Sequence, residues 1–290
     1  MRRRVLTLLA LLALAACLQA GPAAAAEAGA MLALADKPVR IIRGVQVLQG
    51  VSGTALDKDD IVETGAGGAQ VELGPDSIVA LGPQTRVYLL ALGQDGKSPA
   101  SVALLHGWLK VRCVNGRTAQ LATAALRIDV AQGAVVVYSE DGRDELFADA
   151  GAQQATRLDD KSKPEAPLKV PAENYAFALA GKPLTLQPRP ARAFLAAMPP
   201  WFRDRLGPGP ALGRAAMQPA AGEREVDFAD IEPWLNSKLA VRKAFVARFR
   251  PRLKDPVFRK ALDQALGQGS EWQAVLRPAA ARPRPAPNPQ

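Results

Sequence analysis

From Val39 to Leu158 the chain carries short stretches of alternating apolar and polar residues, separated by glycine-containing turns. Ala69-Gln70-Val71-Glu72-Leu73 is the cleanest of them. Successive side chains of a strand point to opposite faces, so this alternation predicts half-buried strands. Similar patterns predict strands at 39–44, 46–50, 77–81, 86–92, 102–105, 108–114, 119–122, 127–130, 134–138 and 145–148. Asn115-Gly116 and Asp141-Gly142 are hairpin signals, because tight hairpin turns need positive φ. His106-Gly107 is expected to be a turn between two strands. Many short strands with no intervening helix predict a mainly β fold, an all-β sandwich or β-solenoid, and argue against a parallel α/β sheet.

The apolar period changes near residue 227. Val241, Phe245 and Phe249 are four apart, as are Phe258, Leu262 and Leu266, which predicts two helices with buried stripes. Asn236 or Ser237 is a candidate cap for the first, and Pro251 stops it. Asp255-Pro256 starts the second, and Gly267 and Gly269 end it. Ser270–Leu276 is a short closing segment, and Trp234 and Trp272 are placed to plug the packing. Residues 159–226, punctuated by prolines, are expected to be a linker with short elements: a strand over 179–186 and helices over 191–198 and 201–206. The expected organisation is a β domain at 30–158, this linker at 159–226, a helical module at 227–276 and a disordered proline-rich tail at 277–290.

Residues 1–26 have the form of a secretory signal: Arg2, Arg3 and Arg4, an apolar run from Val5 to Leu14, then Gly21-Pro22 and small residues to Ala26. The apolar run is too short to span a bilayer in the mature chain. Two cleavage sites compete. One follows Ala26 and releases a soluble protein. The other lies before Cys17 in Leu14-Ala15-Ala16-Cys17, which resembles a bacterial lipobox and makes Cys17 a candidate for lipidation.

Charge sharpens this division. Residues 27–170 hold 15 basic and 18 acidic residues, whereas 171–290 hold 19 basic and 10 acidic, so the mature excess of positive charge lies in the second half. Lys238, Arg242, Lys243, Arg248, Arg250, Arg252, Lys254, Arg259 and Lys260 concentrate it. They are either a solvated helical face or a docking face for an anionic surface. Nucleic acid is not expected, because the chain carries an export signal and no groove-reading motif.

Catalytic chemistry is sparse. One histidine, His106, forms no triad, and with two cysteines it makes no zinc site. Cys113 lies in an alternating stretch and is expected to be a buried apolar residue. Glu140, Asp141, Asp144 and Glu145 bracket a hairpin tip, where a solvated turn is a better reading than a glycosidase acid pair. No catalytic residue, cofactor or metal is expected.

The stretch from Leu56 to Leu89 resembles the FecR domain, a β-rich periplasmic module. Leu56 with Asp59-Asp60-Ile61-Val62-Glu63-Thr64-Gly65 resembles the family's leucine and Gly-Asp-x-Ile-x-Thr-Gly element, with Asp59 where glycine is usual. The segment 69–81 resembles its strand–turn–strand signature, and Gly82-Pro83-Gln84-Thr85-Arg86-Val87 its Pro-x-Ser/Thr-x-Val. Gly107–Val111 and Leu121–Ala125 resemble two downstream strands. The resemblance implies a non-catalytic binding or scaffolding module in the periplasm or secreted, possessing an envelope protein or anionic envelope polymer as partner and a role in surface signalling. The alternative is an outer-membrane lipoprotein adaptor that docks through its basic helices. The family's regulator of sigma factors has a cytoplasmic segment ahead of a retained span, an arrangement that a removable signal does not match.

Overall fold

A computed structural model describes residues 30–74, 76–93, 98–140, 142–159, 161–208, 217–267 and 270–277. The signal segment with Cys17, the hairpin position Asp141 and residues 278–290 of the expected tail lie outside the described residues.

The protein is mainly β. Its strands are, in order, β1 (Ala30–Ala35), β2 (Val39–Arg43), β3 (Gln46–Gly50), β4 (Thr54–Leu56), β5 (Ile61–Glu63) and β6 (Ala69–Glu72). Then come β7 (Ser77–Leu81), β8 (Arg86–Ala91), β9 (Ala100–Cys113), β10 (Ala119–Ala122), β11 (Leu126–Val130) and β12 (Gly133–Glu140). The last are β13 (Arg143–Ala150), β14 (Gln153–Leu158), β15 (Pro164–Val170), β16 (Tyr175–Leu179), β17 (Thr185–Gln187) and β18 (Ala221–Glu225). One sheet runs β4-β1-β6-β7-β9-β12-β13-β16-β17, antiparallel throughout. The other runs β18-β3-β2-β5-β8-β9-β10-β11-β14-β15, with β9 and β10 parallel and every other pair antiparallel.

β9 belongs to both sheets. Its first half pairs with β8 and β10, and its second half with β7 and β12. The expected turn at His106-Gly107 is therefore a bend inside one 14-residue strand. Gly107 makes the bend possible: its φ is +99°, and a Cβ there would lie 2.5 Å from Thr85 Oγ1.

Inward residues of both sheets form the main core, among them Leu32, Val62, Val71, Leu104, Leu109, Ile128 and Val137. Each sheet also has an apolar outer face, and each is covered. Helix α1 (Arg192–Ala197) and the 3-10 turn Pro200–Arg203 lay Phe194, Met198 and Phe202 on Ile78, Trp108, Val136 and Tyr175 of the first sheet. Helices α2 (Phe228–Leu235), α3 (Arg242–Phe249), α4 (Pro256–Leu266) and α5 (Ser270–Leu276) cover Ile42, Val47, Ile61 and Tyr88 of the second. No helix of the described residues is long and apolar enough to cross a membrane.

The described residues between 159 and 226 thus contribute strands to both sheets, where a linker with only short elements was expected. β15 pairs with β14, β16 with β13, and β18 with β3. Pro164 and Pro167 are tolerated because β15 is an edge strand, where a missing N–H can face outward. The helical module also starts differently. The helix expected to be capped by Asn236 or Ser237 is α3, which begins only after Val241 and has no side-chain cap. Asn236 instead ends α2, whose own start carries a capping box of Asp227 and Asp230. α4 starts at Asp255-Pro256 as expected, with Asp255 accepting from the Val257 and Phe258 amides.

Candidate functional site

The stretch that resembles FecR forms a bonded framework around β5 and β8. Asp59 has φ +69°, the left-handed region that glycine or a short carboxylate tolerates best, which accounts for Asp59 at a glycine position. Its carboxylate accepts from Tyr88 Oη at 2.7 Å. Asp60 is fully buried and accepts from Arg43 Nε at 2.9 Å, Arg43 Nη2 at 2.6 Å and the Asp57 amide at 2.8 Å. Burial pushes its pKa up, against the pull of Arg43. Thr64 Oγ1 donates to Gly82 O at 2.7 Å and accepts from the Thr85 amide at 2.8 Å. Thr85 Oγ1 in turn accepts from the Trp108 amide at 3.0 Å. These side chains tie strand ends to one another.

The helical module is keyed to this framework by buried charge. Trp234 Nε1 donates to Glu63 Oε1 at 3.1 Å, and Glu63 also pairs with Arg40. Arg40 reaches Asp230 of α2 at 2.9 Å, and Arg224 of β18 reaches the same carboxylate at 2.6 Å. Burial opposes ionisation of Asp230, but the Arg224 hydrogen bonds, the Asp227 amide and the Arg224 and Arg40 charges hold its pKa below the usual carboxylate range.

The nine basic residues divide. Arg248 turns inward. Its Nε donates to Gly44 O at 3.0 Å, Nη1 to Asp59 O at 2.6 Å and Nη2 to Ile42 O at 2.7 Å. Its guanidinium lies 5.8 Å from the Tyr88 ring centre and 5.1 Å from that of Phe249. Burial lowers its pKa from the ordinary arginine value. Arg252 is buried, donates to Val226 O at 2.8 Å, and pairs with Glu225 and with Asp255 at 2.8 Å. Arg242 is half-buried between Ser237 O at 3.0 Å and Glu271 at 3.1 Å. Arg248, Arg252 and Arg242 therefore hold the module together and do not form a free cationic face, which corrects that expectation for these three. Arg259 is exposed and donates to Leu276 O at 3.0 Å. Lys238, Lys243, Arg250, Lys254 and Lys260 are exposed and make no ion pair among the described residues. A sequence signal for Arg248 exists: Val241, Phe245 and Arg248 fall at i, i+4 and i+7, so it shares the apolar stripe.

Other reactive groups are also tied up, and Asp144 and Glu145 are buried where a solvated turn was expected. Asp144 is buried and accepts from Ser139 Oγ at 2.6 Å, Thr123 Oγ1 at 2.7 Å and the Ala125 amide at 2.9 Å. Glu145 accepts from Tyr175 Oη and pairs with Arg143 at 2.6 Å. Cys113 is buried, and burial pushes its thiol up to about 11 against a weak contact with Ser77. An open cleft of about 580 Å³ lies at the ends of β10, β11 and β14, lined by Gln120, Asp129, Gln153, Gln154 and Lys169 among others. Gln153 is committed to the Ala131 amide and Ala150 O, and Gln120 to Asp129.

No protein-family model matches this chain, and no curated protein does. Two crystal structures of a "putative anti-sigma factor" from Parabacteroides distasonis ATCC 8503 are similar to it, at 16% identity and a TM-score of 0.38. Each likeness covers 47% of this chain and 64% or 63% of that one, so this chain spans under two thirds of that protein's length.

Proposed function

We propose that this chain is a FecR-like, non-catalytic binding and scaffolding module of the cell envelope, exported to the periplasm or secreted, that takes part in surface signalling through contact with an envelope protein. The supporting observation is how the motif residues are used. Asp60, Glu63, Thr64 and Thr85 are spent on joining strands and seating Trp234, so the fold offers surfaces for contact. A photo-crosslinker at Lys243, an exposed position on α3, tests the reading in intact cells. The expected result is one dominant adduct with an envelope protein, on a chain whose N-terminus is processed. A chain that keeps Arg2 to Arg4, or that crosslinks only to cytoplasmic proteins, overturns it.

One observation favours a second reading, docking to an anionic envelope polymer by a soluble or lipidated chain. Lys238, Lys243, Arg250, Lys254 and Lys260 all face solvent. Co-sedimentation with peptidoglycan should weaken steeply with salt, because exposed charges are screened within about 8 Å at physiological ionic strength. Changing these five to glutamine should abolish it. Binding that ignores both salt and the substitutions sinks this reading.

A further inference from the structure

Helix α1 and the 3-10 turn after it, with the chain on to Leu206, form a strap over the first sheet that has two unlike sides. Inward, Phe194, Met198, Phe202 and Leu206 are buried against the sheet. Lys110, 1% exposed, ties the strap down. Its Nζ donates to Phe202 O at 2.6 Å and Asp204 O at 2.9 Å and pairs with Asp149 at 2.8 Å. The strap is therefore a fixed platform.

Outward, it presents Leu195 and Trp201, which are 39% and 37% exposed. The Trp201 indole rests on Gly68, where a Cβ would come within 2.5 Å of Trp201 Cζ2. The same segment carries Arg189, Arg192, Arg203 and Arg205, all exposed, with Asp204 the one acid between residues 189 and 206. None of these arginines makes an ion pair among the described residues. Arg203 Nη2 donates to Leu195 O at 3.1 Å, joining the 3-10 turn to α1.

A prearranged tryptophan and leucine set among single-sign arginines is the composition of an interfacial membrane contact. Indole rings favour the headgroup level, and arginines meet lipid phosphates. Protein hot spots also use Trp and Arg. A standard protein interface, however, needs about 800 Å² per partner around an apolar centre. Here the apolar part is two side chains and the charge is mainly positive, four arginines of the segment against Asp204 and, beside Gly68, Asp36, which an extended anionic sheet complements better. We propose that this strap docks on an anionic lipid bilayer, with Trp201 and Leu195 entering the headgroup region and Arg192, Arg203 and Arg205 contacting phosphates. The face is on the opposite side of the sandwich from the basic helices, so the assignment does not depend on them.

Trp201 also supplies the measurement. The other tryptophans, Trp108, Trp234 and Trp272, are 9% exposed or less. Full-length protein would be mixed with phosphatidylglycerol vesicles containing brominated phosphatidylcholine, which quenches indoles only at bilayer depth. Residues 1–29 contain no tryptophan, so an anchor there does not create the signal. Quenching should be strong on anionic vesicles, weak on neutral ones and absent in Trp201→Phe. Apparent affinity should fall about 30-fold in Arg203→Gln/Arg205→Gln, the effect of two cations near an anionic surface. Both arginines are exposed, and a far-ultraviolet spectrum confirms that the variant folds. The proposal is overturned if Trp201 stays unquenched, if neutral vesicles quench equally, or if Lys254→Gln/Lys260→Gln loses binding while Arg203→Gln/Arg205→Gln keeps it. Protection of Trp201 from iodide by a protein in lipid-free extract, with no lipid quenching, also overturns it.

Discussion

Three glycines of the stretch between Leu56 and Leu89 have different surroundings. A Cβ at Gly68 would meet the Trp201 ring at 2.5 Å, and one at Gly82 would meet Trp108 Cβ at 2.7 Å, while Gly65 has nothing within 4 Å and no positive φ. Gly68→Ala should therefore cost about 1–3 kcal/mol through overpacking. Gly65→Ala should be neutral or stabilising by up to about 1 kcal/mol, because it restricts the unfolded chain. Urea midpoints of the two variants check this, and equal effects would refute the assignment of Gly68 to Trp201. Asp144 gives a pH prediction. It is 2% exposed, takes three hydrogen-bond donors and has no cation, and burial raises its pKa. A raised folded pKa means that folding favours the protonated form. This stabilisation is full below the unfolded carboxylate pKa and is lost as pH rises through the folded one. Asp144→Asn keeps an acceptor for Thr123 and Ala125 and removes the titration. The stability of the parent relative to this variant should fall from acidic to neutral buffer, and a difference that is flat with pH would rule the mechanism out.

At the scale of elements, α3 is held by an arginine that belongs to its apolar stripe. Removing Arg248 takes a donor from the carbonyls of Ile42, Gly44 and Asp59 and uncovers three aromatic rings. Arg248→Ala should cost about 2–4 kcal/mol, whereas Arg250→Ala, two residues on and exposed, should change stability by under about 0.5 kcal/mol. Chemical unfolding of both separates the internal role from the surface one, and similar values would contradict it. The same contrast shows what was legible in the sequence. Alternation revealed β6 and β10, and the four-residue period revealed α4, since in those elements buried positions alternate with more exposed ones. By contrast, β7, β8 and β12 are buried on both faces and show instead as short apolar runs between turns. β18, Ala-Gly-Glu-Arg-Glu, is exposed throughout and held by backbone pairing and charge, so it leaves no apolar trace. β15 is hidden by prolines that only an edge position permits. A charge run says nothing of direction, so Arg248, Arg252 and Lys254 look alike until packing separates them. The strap surface leaves no periodic signal because its arginines are scattered among prolines, and only the fold joins Arg203 to Leu195.

The whole molecule differs from a β domain joined to a separate helical unit. The core of the C-terminal module is shared: Ile231, Trp234, Phe245, Phe249, Phe258 and Leu262 pack with Ile42, Val47, Ile61 and Tyr88 of the sheet. Residues 227–276 are too few to bury a core of their own, and without them the sheet exposes an apolar face with Glu63 stripped of its Trp234 donor. The two halves should therefore melt together. In the full chain, unfolding followed by far-ultraviolet dichroism and by tryptophan fluorescence should coincide in one transition. A chain ending at Val226 should aggregate or bind a hydrophobic dye, since an uncovered sheet face of this kind is an association surface. If that truncated chain is instead monomeric and unfolds at the parent's midpoint, the helices are an appendage. Their positive charge would then belong to an independent domain and not to one face of a single body.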